Sequence, residues 1–384
     1  MKVILGLCLE DGLLSFLFAA NHKGKLIPIT SSFLNIERGQ DDLSEFIKAY
    51  IDDLDREIRE KEKKLSFNVS HVFFRLSDQY ANKKVVEDIV SFNTRKDEKR
   101  ITYRDIIWAK KQLENISLEC DDVCLHHLVM EYFLKAAVFN AAPIGLLARK
   151  IRLKSLIVFC RRSVYQNFGD CFDSIGCKFA GFVYDTLADY SLIYDANNKD
   201  VCAVVNIKLR ETRASYFYGN SFIKEDFFGF GEKDVIEAVA RKFSLSLDLA
   251  SSLVFNYGSF KDVSHAKEIC VKDEASYLNV SAMSLNDFLK DIVSRRLGQI
   301  INTIKVKINK SKLPVFFTGR LSRIDGFSDF VKNGLKLQLK ETQVKKDIQA
   351  GYGALYYGIT RFLELNVQPQ SLFQRLFKVY KEYF

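Results

Sequence analysis

Two stretches of this chain open on the same plan, and that repetition constrains the fold more than any other feature. Val3 to Leu9 and Leu13 to Ala20 are apolar runs separated by the turn Glu10-Asp11-Gly12, with Gly24 before a third run, Leu26 to Ile29. Val201 to Ile207, Ala214 to Tyr218 and Ser221 to Lys224 repeat strand, turn and strand. A β-meander must bury its apolar face, and helical stripes follow both. After Asp42, residues Leu43, Phe46, Ile47, Tyr50, Ile51, Leu54 and Ile58 recur at helical spacing, and the mixed charges of Arg56 to Lys64 read as a solvated face. Glu232 to Phe243, Ser246 to Phe255 and Leu285 to Lys305 supply helices after the second meander, the last with a stripe of Phe288, Ile292, Leu297, Ile300, Ile301 and Ile304. The duplicated plan predicts an α/β chain of two related domains. At 384 residues the chain is too long for one small core.

Between the repeats, Val69 to Leu76 alternates like a half-buried strand, and Lys83 to Phe92 is another. A charged loop, Thr94 to Arg100, leads to a helix over Thr102 to Leu113 that carries the single tryptophan, Trp108. Val123 to Val129, Tyr132 to Phe139 and Ile151 to Phe159 read as strands, so residues 83 to 162 form a strand-helix-strand insertion. Val164 to Ile175 is a helix ended by Gly176, Phe179 to Val183 a strand and Thr186 to Tyr194 a helix; Asn197 to Asp200 is the linker. Near the end, Val315 to Thr318 is a buried strand closed by Gly319, and Gly326 to Asn333 starts a helix.

The formal charge is +9 with signs mixed along the chain, and no basic-aromatic motif for nucleic acid is present. Eight cysteines scattered among apolar runs read as reduced core residues of a cytoplasmic protein. Cys120, Cys124, His126 and His127 lack the spacing of paired zinc ligands, and strand alternation sends neighbours to opposite faces, so no metal is expected. No run approaches the roughly 20 apolar residues of a spanning helix, which limits any membrane contact to a peripheral one.

The tail offers such a contact. From Ser371, an N-cap after Pro369, residues Leu372, Phe373, Leu376, Phe377, Val379, Tyr380, Tyr383 and Phe384 fall in one helical arc. Gln374, Arg375, Lys378, Lys381 and Glu382 fill the other. That pattern fits interfacial binding to anionic lipid; the other reading is a helix docked on its own domain.

The two meander halves, the insertion and the amphipathic tail together resemble the FtsA family of cell-division proteins, actin-like in fold, which tie the division ring to the bacterial membrane. Local matches in order support it: Val72-Phe73-Phe74-Arg75-Leu76-Ser77 before the insertion, Gly229 to Gly258 with Asp234, Ala250, Leu253, Tyr257 and Gly258, then Val315-Phe316-Phe317-Thr318-Gly319 and Ile324-Asp325-Gly326-Phe327. The resemblance implies an actin-like (ribonuclease H-like) two-domain fold with an inserted FtsA-type subdomain and a C-terminal amphipathic helix. Its divisions would be 1–82 with 163–198 (subdomain 1A), 83–162 (1C), 199–232 with 305–365 (2A), 233–304 (2B), and a linker with membrane-targeting helix over 366–384. It further implies self-association, attachment to the inner face of the membrane, and recruitment of an FtsZ-like filament, whose acidic tail peptide would meet Arg296, beside Arg295. The other reading of Arg296 is an exposed helical arginine. The pilus-assembly PilM branch, similar in its inserted subdomain, is an alternative.

The nucleotide site departs from that family. The resemblance implies ATP with Mg²⁺ near Gly6, Gly12, Asn206, Lys208, Arg210, Gly319 and Arg320. Glycine-rich turns let backbone N–H groups approach phosphates, and an Asp positions the metal. Here Cys8 stands for the Asp and Glu10 for a Gly; Asn206-Ile207-Lys208-Leu209-Arg210 replaces an Asp and three glycines, and Arg213 a later Asp. Ser251 and Val254 replace a Glu and a Lys, and Arg320 and Leu321 two glycines. These changes argue against ATP hydrolysis and against binding of ATP with Mg²⁺. The alternative is an active ATPase whose phosphate site is rebuilt from Lys208, Arg210 and Arg320.

Overall fold

A computed structural model describes residues 2–10, 12–22, 25–36, 42–92, 98–194, 200–219, 221–262, 268–273, 276–308, 313–342, 344–345 and 348–360. The tail over 366–384 and residues 197–199 of the linker therefore lie outside the described residues. The chain divides into two compact units, Met1–Lys199 with Gly219–Ile223 and the residues from Asp347 on, and Asp200–Tyr218 with Lys224–Lys346.

The first unit begins with the predicted meander: β1 (Lys2–Glu10), β2 (Leu13–His22) and β3 (Lys25–Asn35). Gly12, at φ 77°, supplies the left-handed residue that lets Glu10 pair with Leu13 across the β1–β2 turn. Helix α1 (Leu43–Leu65) follows, capped by Asp42, whose carboxylate accepts from the Ser44 N–H at 2.7 Å. Then come β4 (Asn68–Leu76), β5 (Asn82–Ser91), β6 (Lys99–Arg100), α2 (Tyr103–Ser117), β7 (Asp122–Leu134), β8 (Ala137–Phe139), β9 (Leu147–Ala148) and β10 (Lys150–Arg161). The unit continues with α3 (Arg162–Ser174), β11 (Lys178–Tyr184) and α4 (Asp185–Ser191).

Two larger sheets result, ordered β11-β4-β1-β2-β3 and β5-β10-β7-β8. The runs expected at Val123 to Val129 and Tyr132 to Phe139 are one long strand and a short one, folded back where Lys135 takes a positive φ. β1, β4 and β11 run parallel, so their carboxyl ends converge. Phe74, Phe168, Phe179 and Phe182 meet at ring-centroid distances of 4.8 to 5.9 Å between the first sheet and α3, largely tilted or edge-on as ring quadrupoles prefer.

The second unit holds β12 (Val201–Ile207), β13 (Thr212–Tyr218), β14 (Ser221–Phe228) from Lys224 on, α5 (Glu232–Phe243), α6 (Leu247–Tyr257) and a hairpin, β15 (Glu268–Asp273) with β16 (Ser276–Ser281). The sequence reading missed that hairpin. Next are α7 (Ala282–Ile308), β17 (Pro314–Thr318), a 3-10 turn at Leu321–Arg323, α8 (Phe327–Gly334) and β18 (Gln338–Leu339). The sheet order is β14-β13-β12-β17-β18. On α7 the buried stripe is Leu285, Leu289, Val293, Leu297, Ile300, Ile301 and Ile304, so Phe288 and Ile292, expected in it, flank it instead.

A last helix, α9 (Gln349–Gly358), also unforeseen, returns to the first unit and packs against β1, β4, β11 and α4. It explains why β4 is buried on both faces from Val72 to Leu76 where simple alternation predicted one. Small residues make this contact possible. A Cβ on Gly353 would meet the Ala188 carbonyl oxygen at 2.3 Å, one on Gly358 the Phe73 ring at 2.6 Å, and one on Gly6 Leu355 Cγ at 2.8 Å. Cys8, Cys160, Cys177 and Cys202 are buried, whereas Cys120 and Cys270 are exposed and depart from the core reading.

Gly353→Ala should lower stability by about 1–3 kcal/mol, because backbone must move to admit the methyl group. Gly169→Ala, inside α3 with open space at the Cβ position, should instead gain about 0.5–1 kcal/mol. Urea denaturation of the two variants gives the comparison.

Candidate functional site

In sheets with parallel strands, ligands meet the chain beyond the strands' carboxyl ends. In the first unit that place is set by register: Arg75 on β4 lies beside Cys8 of β1 and Val183 of β11. Two residues past those neighbours come Glu10 and Asp185. Arg75 is 4 % exposed and its guanidinium lies 3.0 Å from the Asp189 carboxylate and 3.5 Å from Glu10. Burial works against the charge, but Asp189 and then Glu10 outweigh it and hold the Arg75 pKa above its ordinary value. Asp185 and Asp189, on α4, are buried, and the Asp185 carboxylate accepts the N–H of Thr186 at 2.7 Å. The strand ends thus carry a buried cation bound by carboxylates of its own chain. Gly6 lies within β1, where its missing side chain admits α9; Gly12 serves the turn, and its carbonyl accepts from Ile36 N–H at 2.7 Å.

The second unit has the corresponding hairpin, β12–β13. Its turn closes with Lys208 N–H on the Glu211 carbonyl at 2.9 Å. The Lys208 and Leu209 carbonyls then accept the N–H groups of Glu232 and Lys233, each at 2.8 Å. Those are the first donors of α5, the groups that a helix N-terminus offers to an anion. The close approach needs glycine: a Cβ on Gly231 would meet the Leu209 carbonyl oxygen at 2.5 Å, and one on Gly319, at φ 99°, the Ile207 oxygen at 2.0 Å. The glycines that remain here bring protein backbone together.

The three cations that could serve a phosphate sit in different surroundings. Lys208 is half-buried, Arg210 exposed, and the Arg320 guanidinium stacks on the Phe255 ring at 3.9 Å while the Arg320 backbone N–H donates to the buried Glu232 carboxylate at 2.8 Å. Asn206 is buried in β12, and Arg213, buried in β13, lies 3.7 Å from Glu225.

Arg295 and Arg296 are exposed on α7; Arg295 pairs with Asp291 one turn earlier, and Arg296 makes no ion pair among the described residues. His126 and His127 take separate tasks. The His126 Nε2 accepts the Tyr184 N–H at 3.1 Å, while His127 Nδ1 lies 3.0 Å from Glu114. Among the described residues no group of three or more His, Cys, Asp or Glu could hold a metal ion. Nor is any described helix long and apolar enough to cross a membrane.

With this geometry in place, solved structures give the fold. A PilM–PilN type IV pilus biogenesis complex matches with a TM-score of 0.57 at 12% identity, over 95% of this chain and 99% of that one. EutJ, an ethanolamine utilization protein from Carboxydothermus hydrogenoformans, matches at 0.51 and 11% identity, over 92% and 89%. A diol dehydratase-reactivating factor in nucleotide-free form matches at 0.52 and 8%, over 96% and 100%. The fold is that of the actin-like ATPases. No protein-family model matches the chain, and no curated protein matches it.

Sequence reasoning located the two hairpins of this actin-like fold but passed over Arg75, Asp189 and Glu232. Arg75 carried a signal, as the one charge in the apolar run from Val72 to Leu76. Arg75→Met should cost about 3–5 kcal/mol, since it strands buried carboxylate, and adding Asp189→Asn should recover part of that loss. Equilibrium unfolding of the single and double variants measures both.

Proposed function

We propose that this chain is a non-catalytic actin-like scaffold of the FtsA kind, which attaches to the inner face of the membrane through residues 371–384 and recruits a filament. The observation that carries the loss of nucleotide chemistry is Arg75, held between Asp189 and Glu10 at the strand ends. A phosphate brought there would face the Glu10 carboxylate and compete with Asp189 for the guanidinium. The capping of α5 by Lys208 and Leu209 carbonyls supports the same reading for the second hairpin. The rebuilt-ATPase alternative loses support from Arg320, whose guanidinium is occupied with Phe255.

Membrane attachment rests on the tail sequence. Six apolar side chains half-buried in the interface would supply roughly 5–9 kcal/mol before ordering costs. One tail is marginal, so several chains held together are needed for stable attachment. Arg296, exposed on α7, is the proposed contact for an acidic peptide of an FtsZ-like filament. A second reading, a scaffold for pilus or secretion assembly, draws on the pilus-biogenesis complex that matches the chain nearly end to end.

Co-sedimentation with vesicles containing anionic phospholipid, full chain against a version ending at Gln368, tests the attachment. The full chain should pellet and the shortened one should stay in solution, with loss of pelleting at high salt. Equal pelleting of the two would overturn the membrane reading and leave the assembly scaffold.

A further inference from the structure

β5 is the outer strand of the four-stranded sheet, hydrogen-bonded on one side only, to β10. Its register with β10 is unbroken from Asn82 to Ser91, so backbone groups alternate strictly between the partner strand and the open edge. Two observations fix which set faces out. Just beyond β5, the Phe92 N–H donates to the Arg149 carbonyl at 2.8 Å, whereas the Ile89 N–H is taken by the side chain of Asp88 at 2.6 Å. Even-numbered residues therefore face β10, and residues 83, 85, 87 and 89 present their backbone outward. The same odd-numbered side chains lie on the face away from α2, since the Lys84 ammonium reaches the Ser117 carbonyl at the end of α2. Val85 and Ile89 are 58 % and 50 % exposed.

An exposed edge with two large aliphatic side chains is a template for another strand. The charge order of β5 says which strand. Lys83 and Lys84 precede Val85, and Glu87 and Asp88 follow Val86. An antiparallel copy of the same segment brings the lysines of each chain against the acids of the other, whereas a parallel copy sets like charges side by side. Because Asp88 already occupies the Ile89 N–H, the open ladder is centred on Val85.

We propose that β5 pairs with β5 of a second copy of this chain about a two-fold axis through Val85. Lys83, whose ammonium lies 2.8 Å from Asp78 of its own chain, then stands opposite Glu87 of the other copy, itself 3.0 Å from Arg152; Val85 meets its own equivalent, and about six backbone hydrogen bonds close the joint. The pairing consumes both edges, so it stops at two chains. The opposite edge of the sheet, β8, spans only Ala137–Phe139. This joint is independent of the tail and would give an attached scaffold two feet.

Sedimentation velocity of the full chain without lipid, over a concentration series, tests it. The unaltered chain should pass from monomer to dimer. Val85→Pro should abolish the dimer while leaving thermal unfolding unchanged, because proline there removes only an outward N–H. Glu87→Lys should weaken association about tenfold through two like-charge contacts with Lys83 of the other copy. A chain that stays monomeric throughout, a Val85→Pro variant that still dimerises, or a Glu87→Lys variant that associates as tightly as the unaltered chain would overturn the pairing. Lipid is absent, so this result stands apart from the vesicle experiment.

Discussion

The guanidinium of Arg75 is buried with the carboxylates of Asp189 and Glu10 against it, and the parallel strands of the first unit bring those three residues together. Moving an isolated cation out of water costs far more than any single contact returns, so carboxylates must be delivered to it by the fold. Parallel pairing of β4 with β1 and β11 does so by placing the β1–β2 turn and the start of α4 at the same level. Here the chain supplies its own counter-ions, and the second hairpin is likewise engaged, through carbonyls that cap α5.

The same economy governs the glycines. Gly6, Gly353 and Gly358 allow α9 to lie against strands and α4 at distances no Cβ would permit, and that helix covers the face of β4 opposite the phenylalanine cluster. Glycines in an actin-like chain invite a reading as phosphate contacts. In this chain Gly6, Gly231 and Gly319 are explained by backbone or side chains pressed against them.

Periodicity made the meanders, α1, α5 and the general course of α7 legible, since each depends on local alternation between apolar and polar residues. α9 was not legible: Gln349-Ala350-Gly351-Tyr352-Gly353 carries too much glycine to read as a helix, and it forms because tertiary packing outweighs its weak propensity. The β15–β16 hairpin carries no turn dipeptide of the usual kind. At the site, the sequence showed which glycines and acids were replaced, but the partnership of Arg75 with Asp189 joins residues far apart in the chain, and only the strand register brings them together. Arg320 was legible as a cation near a strand end; its commitment to the Phe255 ring was not.

The proposed absence of nucleotide binding rests on the ion pairs of Arg75 and the carbonyl caps of α5. Calorimetric titration of the full chain with Mg²⁺-ATP tests it most directly. No binding is expected at micromolar nucleotide. A saturable micromolar isotherm that requires Mg²⁺ would contradict it and return the chain to the nucleotide-binding members of its fold.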